Sequence, residues 1–169
     1  MEQDINQDQY WMQAALKEAE KALKKKEVPV GAVVVYQNKI IGRGHNQVET
    51  LKDATAHAEI LAIGAASNFL GYWRLSDASI YVTVEPCIMC SGAIILSRLD
   101  RLVFGAFDPK AGACGSLYNL PQDIRLNHQV KIISGVLEEQ CQSIIKELFE
   151  QLRKSEKVKE KNERKCEKT

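Results

Sequence analysis

The sequence predicts an α/β fold, a central sheet with helices over both faces. β-branched and apolar runs at 30–36, 79–84, 101–105 and 130–133 alternate with stretches of helical periodicity. Strand–helix–strand runs of this kind favour parallel pairing, with the helices covering both sides of the sheet. The chain has 169 residues, 45% hydrophobic and 27% charged, which suits one core in an ordinary globular protein. No internal repeat and no composition break marks a second domain, so residues 1–154 are expected to form one unit.

Residues 10–25 place Trp11, Ala14, Ala15, Ala19, Ala22 and Leu23 on one helical stripe. The run 30–36 is a strand, and Asn38-Lys39 is expected to turn it into Ile40-Ile41 as a hairpin. A second helix is predicted over 56–66, opened by His57, with Thr55 or Asp53 as N-cap. A loop through Gly71 and Asp77 leads to the strand 79–84. Pro86 reads as the first residue of a helix reaching about Arg98, a position that tolerates its missing N–H. The strand 101–105, a loop over 108–128 and a short strand 130–133 follow. A closing helix is expected from Leu137 to about Arg153, with Cys141, Ile144, Ile145, Leu148 and Leu152 inward. Residues 155–169 mix six Lys or Arg with four Glu and few apolar residues, so they read as a frayed helix end or disordered tail, or else as an RNA-grazing arm.

Chemistry is concentrated in His57-Ala58-Glu59 and in Pro86-Cys87-Ile88-Met89-Cys90. His57, Cys87 and Cys90 supply three ligands suited to zinc and leave a fourth tetrahedral position for water, the pattern of catalytic rather than structural sites. Cys87 and Cys90 stand three apart, on one face of a helical first turn. Free N–H groups and the positive helix end stabilise thiolates there. Glu59 is placed to take and return the protons of the bound water. The H-x-E…P-C-x-x-C spacing is the signature of zinc deaminases. A lone C-x-x-C can also be a redox pair or half of a zinc knuckle. A structural site would need a fourth ligand from His45, His128, Cys114, Cys141 or Cys166, none of which has knuckle-like spacing.

A net charge of +1 does not announce a nucleic-acid binder, although Lys24-Lys25-Lys26, Arg98, Arg101 and the tail are basic. No apolar run approaches a membrane span, and the N-terminus lacks a signal pattern. Five cysteines, two of them claimed by the metal, argue against a disulfide framework. A reducing cytoplasm is the expected compartment.

Four further stretches narrow the reading. They are Glu27-Val28-Pro29-Val30-Gly31-Ala32-Val33, Thr55-Ala56-His57-Ala58-Glu59-Ile60, Val84 to Ala93, and Phe104-Gly105-Ala106-Phe107-Asp108-Pro109-Lys110 continuing through Ser116; Asn127-His128 adds to them. On these motifs the sequence, from about residue 10 to 153, resembles the bacterial tRNA-specific adenosine deaminases of the cytidine deaminase-like superfamily. The zinc motif indicates only the superfamily, while the Asp-Pro-Lys-x-Gly-Ala-x-Gly-Ser segment points to the tRNA enzymes. The resemblance implies a three-layer α/β/α fold, a mixed sheet of about five strands, and one Zn2+ per subunit. It implies hydrolysis of an amidine C–N bond that turns adenosine into inosine at the wobble position (34) of tRNA, with arginine tRNA the expected substrate. Zinc-bound hydroxide would attack C6 of adenine while Glu59 shuttles protons.

The resemblance also gives substrate roles. The residue matching Asn46 reaches an edge of the flipped base, Pro29 and Val30 pack against it, and Ala58 adjoins it. Asp108 matches a position beside the anticodon backbone. Asn46 could instead cap a turn, and Asp108, ahead of Pro109, could be a turn former. His45 and His128 read as structural. Family members are homodimers, and the helix from Cys87 to Arg98 with the loop after Gly105 would be natural interface elements. Two departures stand out: Asp53 is followed by Ala54 where the family has Pro, and Leu148-Phe149-Glu150 replaces a Phe-Phe-Arg cluster, which argues against RNA contact there and leaves Phe149 to the core. The alternative activity is a free nucleobase or nucleoside deaminase acting on guanine or cytidine, which would not need the 108–116 segment. A non-enzymatic zinc module is the reading from another class.

Overall fold

The computed structural model describes the backbone of residues 2–166 and the side chains of residues 6–154. The chain runs α1 (Glu2–Lys24), β1 (Gly31–Tyr36), β2 (Lys39–His45), α2 (Val48–Leu51), α3 (Ala58–Leu70), β3 (Ser79–Val84), α4 (Ile88–Leu96), β4 (Arg101–Ala106), a 3-10 turn at Leu120–Gln122, β5 (Lys131–Ile133) and α5 (Glu138–Cys166). The strands form one mixed sheet in the order β2-β1-β3-β4-β5. β1 is antiparallel to both β2 and β3, whereas β3–β4 and β4–β5 are parallel.

Strand alternation divides the core into two layers. Ala32, Val34, Ile80, Val82, Leu102 and Phe104 face α3 and α4. Val33, Val35, Tyr81 and Val103 face the other way, toward Trp11, Met12 and Ala15 of α1 and Cys141 of α5. This is the expected three-layer α/β/α arrangement. Asp8 of α1 locks its layer to the sheet: Arg101 donates to both its carboxylate oxygens at 2.9 and 2.7 Å, and the Tyr81 hydroxyl donates at 2.9 Å.

Close packing of α3 on β2 sets where the site begins. A Cβ on Gly42 would lie 2.2 Å from the Ala62 carbonyl oxygen, and one on Gly44 would lie 2.1 Å from that of Ala58. Only glycine lets the helix backbone approach so near. Ala58, Ala62 and Ala66, all buried, complete the contact from the helix side.

Several sequence expectations shift. The hairpin turn is Gln37-Asn38, not Asn38-Lys39, with φ of 48° and 57° as a two-residue turn with both residues left-handed requires. Neither Thr55 nor Asp53 caps α3; Asp53 Oδ1 instead accepts from the Thr55 N–H and hydroxyl, and His57 is the N-cap. Pro86 lies outside α4, because Cys87 takes the N-cap with extended backbone. α4 stops at Leu96 because Arg98 turns left-handed, φ 62°. The short helix α2 was not anticipated. Phe149 is 55% exposed and so is not core, and Leu152, 42% exposed, borders the cavity described below without joining the core. α5 continues to Cys166, but the side chains of 155–169, with the proposed arm and Cys166, lie outside the described residues.

Candidate active site

Two helix starts meet at one place. His57 caps α3 and Cys87 caps α4, both with φ −73° and extended ψ, and neither helix has a side-chain cap bond. The first i→i+4 bonds run from Leu61 N to His57 O and from Ser91 N to Cys87 O, so the N–H groups ahead of them have no carbonyl partner in their own helix. Cys90 follows one turn into α4. His57 Nδ1 lies 3.7 Å from Cys87 Sγ and 3.5 Å from Cys90 Sγ. All three ligand atoms fall within 4.8 Å of one another, a group that could hold a metal ion.

Electrostatics at this group ask for a cation. The adjoining Cys90 thiol and then His57 hold the Cys87 thiol down at about 3, and Cys90 is pushed far up by its bond to Cys87 and by burial. Contact with Cys87 raises His57. One thiolate is comfortable here, and a second beside it needs a positive partner.

The other candidate ligands lie elsewhere. Cys114 Sγ sits 3.1 Å from Ser91 Oγ, His128 Nε2 lies 2.7 Å from the Leu99 carbonyl oxygen, and His45 lies beside Glu18 and Lys25. The carbonyl can only accept, so His128 Nε2 carries the proton, which is a structural role. Cys141 is buried under β4. The described cysteines are free.

His57 and Cys87 open into a cavity of about 480 Å³, in the range of small-ligand sites. Glu59, 4% exposed, lines it, and burial pushes its carboxyl up from the ordinary carboxylate value. Ala58, Val30, Asn46 and Asp108 line it as well, whereas Pro29 is buried and does not. Asp108 is also a turn former, its Oδ1 accepting from Lys110 N and Ala111 N. Leu148 and Leu152 of α5 close one side.

Two buried carboxylates in the cavity lining were not singled out by sequence reasoning. Glu27 accepts from Thr50 N at 2.7 Å, Glu49 N at 3.2 Å and Asn46 Nδ2 at 3.2 Å. Glu85 accepts from Asp108 N, Cys114 N and Ser116 N at 2.9 to 3.0 Å, and from the Ser116 hydroxyl. Burial raises both, but those hydrogen bonds outweigh it and hold both below the ordinary carboxylate value. Both fall within stretches that carry the family resemblance, but the residue-level signal was an acidic residue at the edge of an apolar run, which marks many exposed turns too.

The chain matches the family model described as MafB19-like deaminase over residues 6–153. It is 52% identical over 158 residues to the tRNA-specific adenosine deaminase of Bacillus subtilis (strain 168), covering 94% of this chain and 98% of that relative. The chain belongs to the tRNA-specific adenosine deaminase family. A tRNA-specific adenosine deaminase of Streptococcus pyogenes serotype M3 is 46% identical over 94% of this chain and 92% of its own length. A solved structure from a study of A-to-I editing by tRNA:A34 deaminases at the wobble position of transfer RNA superposes with a TM-score of 0.77 at 42% identity, covering 80% of this chain and 98% of that one. A tRNA-specific adenosine deaminase must admit a base still joined to its strand, and here the cavity reaches the surface past exposed Lys26, Val28 and Glu49.

Proposed function

We propose that this deaminase converts adenosine to inosine at the wobble position, 34, of a tRNA, arginine tRNA in the first place, with one zinc ion per subunit held by His57, Cys87 and Cys90. The observation that carries the zinc reading is the ligand spacing. Zinc–sulfur bonds of about 2.3 Å and zinc–nitrogen bonds of about 2.0 Å, at tetrahedral angles, put sulfur and nitrogen about 3.5 Å apart. The two S···N separations here are 3.7 and 3.5 Å. Zinc, when bound, supplies a water acidic enough to act as a nucleophile near neutral pH. The wobble reading is supported by the relative from work on tRNA:A34 deaminases.

Glu59 does the proton work. The net reaction adds water to adenosine and releases ammonia: a C6–O bond forms and the C6–N6 bond breaks. Glu59 takes one proton from the attacking water and delivers it to N1, then takes the second from the hydroxyl newly bonded to C6 and passes it to N6 as ammonia leaves, ending in the state in which it began. A carboxyl raised by burial holds a proton more readily than an exposed one, which suits it to carry each proton between the two sites. Asn46 contacts the edge of the base, Val30 and Ala58 border it, and the buried Pro29, next to Val30 in the chain, holds that stretch in place. Asp108 adjoins the strand. An anticodon loop already exposes its bases, so flipping one costs little.

The enzyme works as a homodimer in the cytoplasm. Ile88 and Leu96 of α4, with Leu117 and Tyr118 of the following loop, are large apolar side chains more than half exposed, which supports these elements as the interface. Among the described residues no helix is long and apolar enough to cross a membrane.

The direct test incubates the zinc-loaded protein with arginine tRNA carrying adenosine at the wobble position, beside tubes of free adenosine, cytidine and guanine. Inosine in the tRNA alone is the expected result. Turnover of a free base or nucleoside alone would favour the guanine or cytidine reading instead.

A further inference from the structure

We propose that Glu85 is a positioning residue for substrate, its buried carboxylate holding residues 107–116 in place as one wall of the cavity. The proposal rests on the reading of that cavity as the tRNA adenosine site.

Glu85 follows the last residue of β3 and is 3% exposed. All four of its side-chain hydrogen bonds go to one segment. Oε1 accepts from Cys114 N at 3.0 Å and Ser116 N at 2.9 Å, while Oε2 accepts from Asp108 N at 3.0 Å and from the Ser116 hydroxyl. The backbone adds Ala113 N to Pro86 O at 2.9 Å and a bridge between Cys87 and Gly112. Gly112 has no room for a side chain: a Cβ there would lie 2.3 Å from Glu85 Oε2 and 2.6 Å from the Asp108 carbonyl oxygen. The segment is therefore wrapped around the carboxylate.

Among the described residues the charge is balanced by N–H and O–H dipoles and not by a lysine or arginine. Connecting segments of this length ordinarily gain order from apolar packing, and burying a carboxylate is costly unless every lone pair finds a donor. What such an anchor supplies is fixed geometry. Asp108 and Ala111, carried by the segment, face the cavity together with His57 and Glu59. The bond from Asp108 N to Oε2 thus ties the cavity wall to the strand end that leads into Cys87. Glu85 touches no reacting atom in this scheme; it acts through Asp108 and Ala111.

Glu85→Gln is the discriminating substitution because it keeps shape and removes acceptors. One amide oxygen can still serve Cys114 N and Ser116 N. The amide NH2 then faces the Asp108 N–H, donor against donor, and that bond is lost. Ser116→Ala removes a single bond and leaves the carboxylate.

The experiment measures deamination of an anticodon stem-loop with adenosine at the wobble position by the zinc-loaded wild type, Glu85→Gln and Ser116→Ala proteins, alongside zinc content and amide hydrogen exchange. Loss of a charge-assisted bond that only positions substrate is expected to raise KM about tenfold or more with kcat changed less than about threefold. Ser116→Ala should shift KM in the same direction by less. Zinc should stay at one per chain, and exchange should quicken within 107–116 while α3 stays protected. A fall in kcat at constant KM, loss of zinc, or unchanged exchange in Glu85→Gln would each overturn the proposal. If the wild type leaves the stem-loop untouched, the tRNA reading fails instead, and the exchange comparison still decides whether Glu85 orders the wall.

Discussion

Glu59 is 4% exposed and lines the cavity beside the His57–Cys87–Cys90 group, and burial raises its carboxyl. Glu59→Ala is expected to lower single-turnover deamination by about 10² to 10⁴, roughly 3 to 5 kcal/mol, with zinc retained. Substantial turnover by the zinc-loaded variant would refute the proton-shuttle role. Glu27 makes a different residue-scale prediction. Its carboxyl is held below the ordinary 4.5, so its contribution to stability is full above that value and is lost as pH falls through the lowered one. Chemical denaturation from about pH 6 down to about pH 3 should therefore show wild-type stability falling more steeply than that of Glu27→Gln. Equal slopes would mean the Thr50, Glu49 and Asn46 bonds do not favour the charged form. The grouping of His57, Cys87 and Cys90, with Glu59 beside it, was legible because a metal site of this kind needs particular residue types at short spacings. Glu27 and Glu85 were not, since their partners are backbone N–H groups 22 to 31 residues away that carry no side-chain signal.

At the scale of elements, β2 and α3 act as one piece. Gly44→Ala would drive a Cβ into the Ala58 carbonyl, a backbone atom that cannot swing aside. Overpacking of this kind is expected to cost about 1 to 3 kcal/mol, read in urea titration, and to lower zinc occupancy because Ala58 adjoins His57. Gly64→Ala, whose Cβ would meet nothing within 4 Å, is the control and should be neutral or stabilising. Unchanged zinc and stability in Gly44→Ala would show that α3 is free to retreat from the strand. Strand positions were readable from alternation, which favoured parallel pairing, and the mixed sheet followed only from the family resemblance; the starts of α3, α4 and α5 were placed one or two residues early and that of α1 eight residues late. His57 and Cys87 look helical by spacing and yet hold extended backbone as N-caps. The glycines of β2 could be recognised as contacts only once α3 was seen to lie across them.

At the scale of the whole molecule, the apolar side chains on α4 and the loop after β4 are expected to bury themselves against a second copy of the chain. Sedimentation at working concentration should give a dimer, and a monodisperse, fully active monomer would sink that expectation. The pairing was inferred from resemblance alone, since periodicity within one chain says nothing about its partner. The placement of His57 and Cys87, 30 residues apart but sulfur to nitrogen at 3.7 Å, has one more result. A metal bridging them would work as a crosslink, closing a loop that spans all of α3 and all of β3. In chain-entropy terms such a closure shrinks the unfolded ensemble much as a disulfide of that span does, on the order of 3 kcal/mol. Chelator treatment should then lower the unfolding midpoint while leaving the slope of the native baseline unchanged, so the ion that equips the site for chemistry would also serve as its fastener.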